Sequence, residues 1–476
     1  MKKITDINNL CGKRCDILGL GISNLPLIDM LITLGARVTV RDKKSRAELG
    51  EICDRAEAAG VSFILGERYL DGMDTDVIFR SPGIRPDAGS IPEAIKNGAL
   101  LTSEMELFLS LTKANILAIT GSDGKTTTTT LTHLFMKKQL ERSSSGNAYI
   151  GGNIGKPLLS EYAEMTERDF AVLELSSFQL MTADFSPSRA AITNVTPNHL
   201  NWHIDMEEYI QAKKNVFGED TLLVLNAENA ITARIAQERQ NNILLFSSKK
   251  KSFAEFSLSG KNVGAIFIRD GEIFYSDGGS EKAVLSVSDI KLPGTHNVEN
   301  YMTAIALTYG LVDKDIYTEV AKTFGGVEHR LEFVRELDGV RYYNSSIDSS
   351  PTRTAAALSA LAGAKVVICG GYDKNIPFDT LAEALCGSAR CVILTGATAE
   401  KIKKALLDCE RYSPEILTVI EKPDFADAVA EARAVAVSGE SVLLSPACAS
   451  FDAFKNFEER GNRFKALVHS LSANKN

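Results

Sequence analysis

Short apolar runs that empty into glycine-bearing polar turns, and then into stretches of helical period, recur along this chain. Such alternation predicts parallel strands joined by helices, with ligand loops at the strands' carboxyl ends. Residues 15–18 read as a strand, Gly19-Leu20-Gly21-Ile22-Ser23-Asn24 as a turn, 25–34 as a helix and 37–40 as a second strand. That is the opening βαβ of a Rossmann-like domain. Another strand over 76–79 ends in Ser81-Pro82-Gly83-Ile84, a tight turn by composition. A helical segment, Glu104–Leu111, then leads into a new strand, which sets a first boundary near residue 103.

The middle of the chain alternates again. Residues 170–175 and 190–195 read as strands, 207–217 as a helix and 222–225 as a strand. Residues 265–268 and 273–275 flank Arg269-Asp270-Gly271-Glu272, a hairpin signal. Pro293-Gly294-Thr295-His296-Asn297 precedes a helical stretch through Leu307. The last third restarts the pattern: strands over 340–343, 365–369, 391–394 and 441–444, a helix from Pro351 and another over 381–385. The expected fold class is α/β in three domains: an N-terminal Rossmann-like domain (1–103), a central P-loop ATPase-like α/β domain (104–326) and a C-terminal Rossmann-like domain (327–476).

Composition narrows the class. A chain of 476 residues is too long for one core, and 44% apolar with 24% charged residues is a soluble globular balance. No apolar run is long enough to span a bilayer, and Met1-Lys2-Lys3-Ile4-Thr5-Asp6 lacks the apolar core of a signal peptide. Eight cysteines without C-x-x-C spacing predict free thiols in a reducing cytosol. A net charge of −8 argues against nucleic acid as the partner. A cytoplasmic monomer with small-molecule ligands and no membrane insertion is expected.

The strongest chemical signal is Ile116-Leu117-Ala118-Ile119-Thr120-Gly121-Ser122-Asp123-Gly124-Lys125-Thr126-Thr127. A buried-strand run enters a glycine-bracketed turn, then Lys and hydroxyls that open a helix. Glycines let backbone N–H groups approach phosphate oxygens, and the helix N-terminus adds partial positive charge. Lys125 reaches the terminal phosphates, and Thr126 is placed for Mg²⁺. The spacing is shorter than G-x-x-x-x-G-K-[ST]. The competing interpretation is an ordinary strand–turn–helix.

Other stretches carry weaker signals. Gly19-Leu20-Gly21, with Asp42 downstream, imitates a dinucleotide fingerprint with Asn24 in place of the third glycine, so a nicotinamide-dependent dehydrogenase and a plain βα turn both remain open. Glu174 lies inside an apolar strand next to Ser176, Ser177 and Gln179, where an unpaired carboxylate is costly; Mg²⁺ or loop amides would satisfy it. His199 and His203 stand at i, i+4 without the Glu of a zinc helix, and simple hydrogen bonding is favoured for His203. Lys213 and Lys214 lie in a helix-like stretch, where a solvated lysine is the default. Arg330 could stabilise a transferring phosphoryl group or sit in a surface ion pair. Gly370-Gly371-Tyr372-Asp373-Lys374 and Ser445-Pro446-Ala447-Cys448-Ala449-Ser450 both follow strands and suggest a ligand crevice, although Ser450 could serve as a helix N-cap.

In order along the chain stand T-G-S-D-G-K-T-T, G-G-N-I-G, L-E-L-S-S-F-Q-L, N-V-T-P-N-H-L, H-R-L-E and S-P-A-C-A-S-F-D. Together they resemble the Mur ligases of peptidoglycan synthesis, over essentially the whole chain. The resemblance implies ATP-dependent addition of D-glutamate to UDP-N-acetylmuramoyl-L-alanine through an acyl phosphate. Another amide ligase of the superfamily, with a different amino-acid or folate substrate, is the alternative. By resemblance, Ile22, Ser23, Asp42, Ser81, Pro82, Gly83 and Asn153 contact the UDP-sugar. Gly121, Ser122, Asp123, Gly124, Lys125, Thr126, Thr127, Asn300 and Arg330 contact ATP, and Thr126, Glu174 and His199 serve two magnesium ions. Lys213 matches a lysine that carries a carbamate from CO₂ and joins the metal site, while Ser349, Lys374, Ser450 and Phe457 surround D-glutamate. Lys125, Glu174, His199, Lys213 and Arg330 form the implied catalytic set. Two positions depart from the family pattern: Asn198 stands where many relatives have Asp, and Asn344-Ser345-Ser346 where many have N-D-S. Asp348, three residues on, is the candidate for the missing nucleotide-side carboxylate.

Overall fold

Five strands, β1 (Arg14–Leu18), β2 (Arg37–Asp42), β3 (Ser62–Leu65), β4 (Val77–Arg80) and β5 (Leu100–Thr102), pair in parallel in the order β3-β2-β1-β4-β5. Cys15, Ile17 and Leu18 of β1 and Ile78 and Phe79 of β4 are fully buried, as befits central strands covered on both faces. The order reverses between β1 and β4, so the Gly19 turn and the Ser81 turn leave neighbouring strands at the same edge, the usual place for a ligand. This computed structural model describes residues 4–473 except 22, 23, 201, 240, 259, 261, 293 and 375.

A second sheet has nine strands: β6 (Asn115–Thr120), β7 (Ala148–Gly152), β8 (Phe170–Glu174), β9 (Arg189–Ile192), β10 (Leu222–Asn226), β11 (Ile243–Ser247), β12 (Val263–Arg269), β13 (Glu272–Ser276) and β14 (Glu281–Ser286). Their order is β14-β13-β12-β11-β10-β9-β6-β8-β7, parallel except at the β12-β13-β14 end. Asp270-Gly271 makes the expected hairpin turn there, and β14 extends it by a strand that the sequence pattern did not show. The strand carrying the glycine–lysine turn, β6, lies between β8 and β9, so three loops with polar signatures emerge side by side.

These two sheets belong to one compact unit, Met1–Thr323; Phe324–Asn476 form a second. The second unit holds β15 (Glu332–Leu337), β16 (Val340–Asn344), β17 (Lys365–Gly370), β18 (Cys391–Thr395), β19 (Thr418–Glu421) and β20 (Ser441–Leu444), ordered β15-β16-β20-β17-β18-β19. Only β15 runs antiparallel to its neighbour. The central strands β17, β18 and β20 are buried throughout, and apolar clusters cover the sheet. Both edge strands, β15 and β19, escaped the sequence reading because charge interrupts their apolar pattern. All eight cysteines are free, five of them buried. Among the described residues, no helix is long and apolar enough to cross a membrane.

Candidate active site

The turn after β6 can close only because it carries glycine. A Cβ on Gly121 would stand 1.9 Å from Thr193 Oγ1, and one on Gly124 would stand 2.3 Å from Asn300 Oδ1. Both residues also hold positive φ, at 149° and 79°. Neighbouring loops fix the turn: Ser122 N–H donates to Asn194 O at 2.9 Å, Asp123 N–H to Asn194 Oδ1 at 2.9 Å, and Thr193 Oγ1 to Asp123 O at 2.6 Å. The helix Lys125–Ser143 starts immediately, with Lys125 and Thr127 half-buried, Thr126 buried, and Lys125 Nζ donating to Ser122 O at 2.9 Å. The first N–H groups of that helix have no intrahelical partners and point toward the turn. From the helix Thr295–Thr308, Asn300 accepts from Thr128 Oγ1 at 3.3 Å, so the structure brings this predicted nucleotide contact to the glycine turn.

Glu174 ends β8 beside this turn and is 1% exposed. Asn153 Nδ2 donates to its Oε1 at 2.8 Å, while Oε2 has no hydrogen-bond partner among the described residues. A buried, half-satisfied carboxylate next to a glycine–lysine turn has the oxygen chemistry that Mg²⁺ takes, with nucleotide phosphates supplying further oxygens. Thr126 is the hydroxyl at the same helix start, so the residues present fit such an ion.

Lys213 overturns the expectation of a solvated lysine. It is 2% exposed, donates from Nζ to Gly121 O at 2.8 Å and lies 4.5 Å from the centre of the Tyr209 ring. Burial, reinforced by the positive charge of Lys125, drives its ammonium pKa well below the usual range. Tyr209 in turn shares a hydrogen bond with Ser122 Oγ at 2.9 Å, which ties the lysine's helix (Met206–Lys214) to the glycine turn.

His199 sits in an exposed turn with φ 55°, not on a helix, so it and His203 are not a helical i, i+4 pair. Its pKa is lowered by burial of the ring and by Lys125 and Lys213 nearby. His203 is buried and fully used, as expected: Nδ1 faces Glu208 Oε2 at 3.1 Å and Nε2 faces Ser177 Oγ at 2.9 Å. Phe178 packs its ring against His199, Trp202 and His203.

The N-terminal candidates gather at the β1/β4 switch. Asp42 Oδ2 accepts from Leu20 N–H at 2.6 Å, Asn24 Nδ2 donates to Gly19 O at 2.7 Å and to Ser81 Oγ at 3.0 Å, and Ser81 Oγ donates to Gly19 O at 3.1 Å. Asn24 therefore earns its place as the clasp between the two turns. Ile22 and Ser23 lie outside the described residues. Three residues here were invisible in the sequence: buried Arg80, which donates to Pro82 O and Ile84 O; Arg85, which forks onto Glu208 with both bonds at 3.0 Å; and Trp202, which donates to Gly83 O at 3.0 Å.

In the second unit the loops after β16, β17 and β20 leave adjacent strands. Lys374 Nζ reaches Ser349 Oγ at 3.3 Å, which joins two predicted amino-acid contacts. Ser450 is buried, but the N-cap of the final helix, Phe457–Ser470, is Asn456, so Ser450 is not that cap. Phe457 O accepts from Ser346 Oγ at 2.8 Å. Arg330 is exposed, next to the strained, buried His329 (φ 62°). Asp348 is buried, accepts from Ser445 Oγ at 2.8 Å and has its carboxyl pKa raised by that burial. Ser345 Oγ accepts from Leu331 N–H at 3.1 Å, so the residue at the departing position supports the Arg330 turn. Arg460, which reads as an ordinary helical arginine, is 2% exposed and stitches the loops together through Ser346 O, Cys448 O and Ala449 O.

A glycine turn feeding a helix that begins with lysine, and a buried carboxylate one strand away, define a P-loop nucleotide-binding α/β protein. Residues 119–308 match the Mur ligase middle domain, and residues 329–448 match the Mur ligase, glutamate ligase domain. Over 463 residues the chain is 47% identical to a UDP-N-acetylmuramoylalanine--D-glutamate ligase of Clostridium kluyveri, covering 96% of this chain and 97% of that one. A ligase of the same name from Acetivibrio thermocellus is 45% identical over 97% of both chains. A crystal structure of the UDP-N-acetylmuramate-alanine ligase MurC from Thermotoga maritima shares the fold, with a TM-score of 0.51 at 20% identity over 96% of this chain and 99% of that one. The chain belongs to the Mur ligase family.

Proposed function

We propose that this protein is an ATP-dependent ligase that joins D-glutamate to UDP-N-acetylmuramoyl-L-alanine in peptidoglycan precursor synthesis. The observation that carries the substrate assignment is the likeness, at 47% identity over nearly the whole chain, to a ligase named for that reaction. The phosphate-binding turn and the half-satisfied Glu174 support the use of ATP. In this assignment residues 1–103 bind the UDP-sugar, 104–326 bind ATP and 327–476 bind the amino acid. The enzyme works in the cytoplasm as a monomer.

A carboxylate is a poor electrophile and must be activated. The terminal carboxylate of the UDP-sugar substrate attacks the γ-phosphorus of ATP, giving an acyl phosphate and ADP. The amine of D-glutamate then attacks the acyl carbon, and the tetrahedral intermediate collapses to amide and phosphate. Backbone N–H groups of Gly121–Thr127 and the ammonium of Lys125 hold the β/γ-phosphates in line. Arg330 balances charge on the phosphoryl group in transfer. Thr126, Glu174 and His199 would hold magnesium, which when bound neutralises phosphate charge. Burial disfavours the ammonium form of Lys213, and its amine, once deprotonated, can add CO₂ and release a proton, giving a carbamate able to join that site. Ser349, Lys374, Ser450 and Phe457 receive D-glutamate, with Lys374 pairing a carboxylate, while Asp348 stands in for the acid absent at Ser345.

Release of ADP, measured with ATP, UDP-N-acetylmuramoyl-L-alanine and D-glutamate and with each omitted in turn, tests the assignment. ADP should accumulate only with all three present, and a panel of other amino acids should replace D-glutamate poorly. Faster turnover with another amino acid or with a folate acceptor would overturn it.

A further inference from the structure

A cleft of about 320 Å³ in the first unit is lined by two charged residues, each with a buried polar atom that no described residue satisfies. Asn24, Arg80, Pro82, Glu104, Asn153 and Gln179 are on its wall. Glu104 is 5% exposed, yet its Oε1 has no hydrogen-bond partner; Arg80 is 1% exposed, and its Nε is likewise unpaired. Buried polar atoms are seldom left so unless a ligand or water completes them. Glu104 is the first residue of the helix Glu104–Leu111, whose cap Ser103 accepts from Glu106 N–H at 3.1 Å, so the carboxyl is held by a rigid element.

Glu104 does not serve as the counter-ion of Arg80. The arginine fork is committed to the carbonyls of Ile84 at 2.6 Å, Pro82 at 3.1 Å and Phe178 at 3.0 Å. Among the described residues, Arg80 is the one other charged side chain on the cleft wall. On the same helix Glu106 interacts with Arg80 and Thr182. The turn Leu159–Glu164 presents Glu161, ion-paired to Lys156, and the exposed Glu164. Burial pushes the Glu104 carboxyl up to about 7, with the Leu159 N–H pulling the other way. Much of it is therefore a neutral acid, able to donate a hydrogen bond, at neutral pH.

We propose that Glu104 is a further substrate-contacting residue, its carboxylic acid donating to a diphosphate oxygen of the UDP-sugar in this cleft, whose wall also carries Arg80. The inference rests on the proposed UDP-sugar substrate. The neutral acid and Arg80 both attract a diphosphate, whereas the ionised carboxylate repels it, so affinity falls as pH rises.

Calorimetric binding of UDP-N-acetylmuramoyl-L-alanine to the full-length enzyme tests this, because neither its diphosphate nor its carboxylate titrates between about pH 6 and about pH 8.5. The wild-type Kd should weaken about tenfold across that range, and Glu104→Gln, which keeps a donor but cannot ionise, should bind well at pH 6 and lose most of that slope. Glu104→Leu should bind about tenfold more weakly at pH 6, with the KM values for ATP and D-glutamate unchanged. A Glu104→Gln slope equal to that of the wild type, or wild-type binding by Glu104→Leu, would overturn the inference; if the leucine variant does not fold, the glutamine slope decides. Wild-type enzyme that binds no UDP-N-acetylmuramoyl-L-alanine at any pH would contradict the substrate assignment itself, and a failure confined to the variants contradicts only the role of Glu104.

Discussion

A lysine in water is a cation, but Lys213 is not in water. Its amine is enclosed between the Gly121 carbonyl and the Tyr209 ring, where the charged form is disfavoured. Enzyme equilibrated with ¹³C-bicarbonate should show a carbamate resonance that vanishes in Lys213→Arg; an identical resonance in both would rule out Lys213 as its carrier. Replacing Lys125 with Ala should lower ATP-dependent turnover by about a thousandfold or more, since it removes the cation at the transferring phosphates. Normal turnover in that variant would remove its phosphate role. Lys125, Thr126 and Glu174 were legible in the sequence because each sits in a local motif whose chemistry needs that residue type. Arg460, Arg80 and Glu104 were not, because a charged residue in a helix or at a strand end normally reaches solvent, and only tertiary packing encloses these three.

Elements place those side chains through a small number of ties. The Ser81-Pro82-Gly83 turn of the first sheet is joined to the second sheet's loops by Trp202, by Arg85 on Glu208, and by His203 linking Glu208 to Ser177, three residues past Glu174. The Arg85 guanidinium, helped by the N–H of Ile204, holds the Glu208 carboxyl down to about 2. A carboxyl pKa lowered in the folded state adds stability above its unfolded value near 4.5 and loses it as pH falls toward 2. Glu208→Gln should therefore cost about 1–3 kcal/mol at neutral pH, measured by urea unfolding, and flatten the loss of stability between about pH 4.5 and pH 2. An unchanged acid limb would show that the tie contributes nothing. At this scale most central strands were readable from their unbroken apolar runs, although the buried β11 was passed over, whereas β15 and β19, half-exposed and charge-bearing, carry no such signal. The link through His203 was readable only as a histidine with hydrogen-bond partners, because those partners lie 26 and 5 residues away.

The whole molecule repeats one device three times. Each sheet sends polar loops from the carboxyl ends of adjacent parallel strands: the Gly19 and Ser81 turns, the glycine–lysine turn with Glu174 and Asn194, and the loops that carry Ser349, Lys374 and Ser450. In the proposed reaction these three loop sets receive a UDP-sugar, ATP and an amino acid. The chemical link among them is the acyl phosphate. It can be traced with UDP-N-acetylmuramoyl-L-alanine labelled with ¹⁸O in the alanine carboxylate, by mass spectrometry of the phosphate released during turnover with ATP and D-glutamate. One ¹⁸O per phosphate is predicted, since the attacking carboxylate oxygen leaves with phosphorus; phosphate free of label would contradict the account.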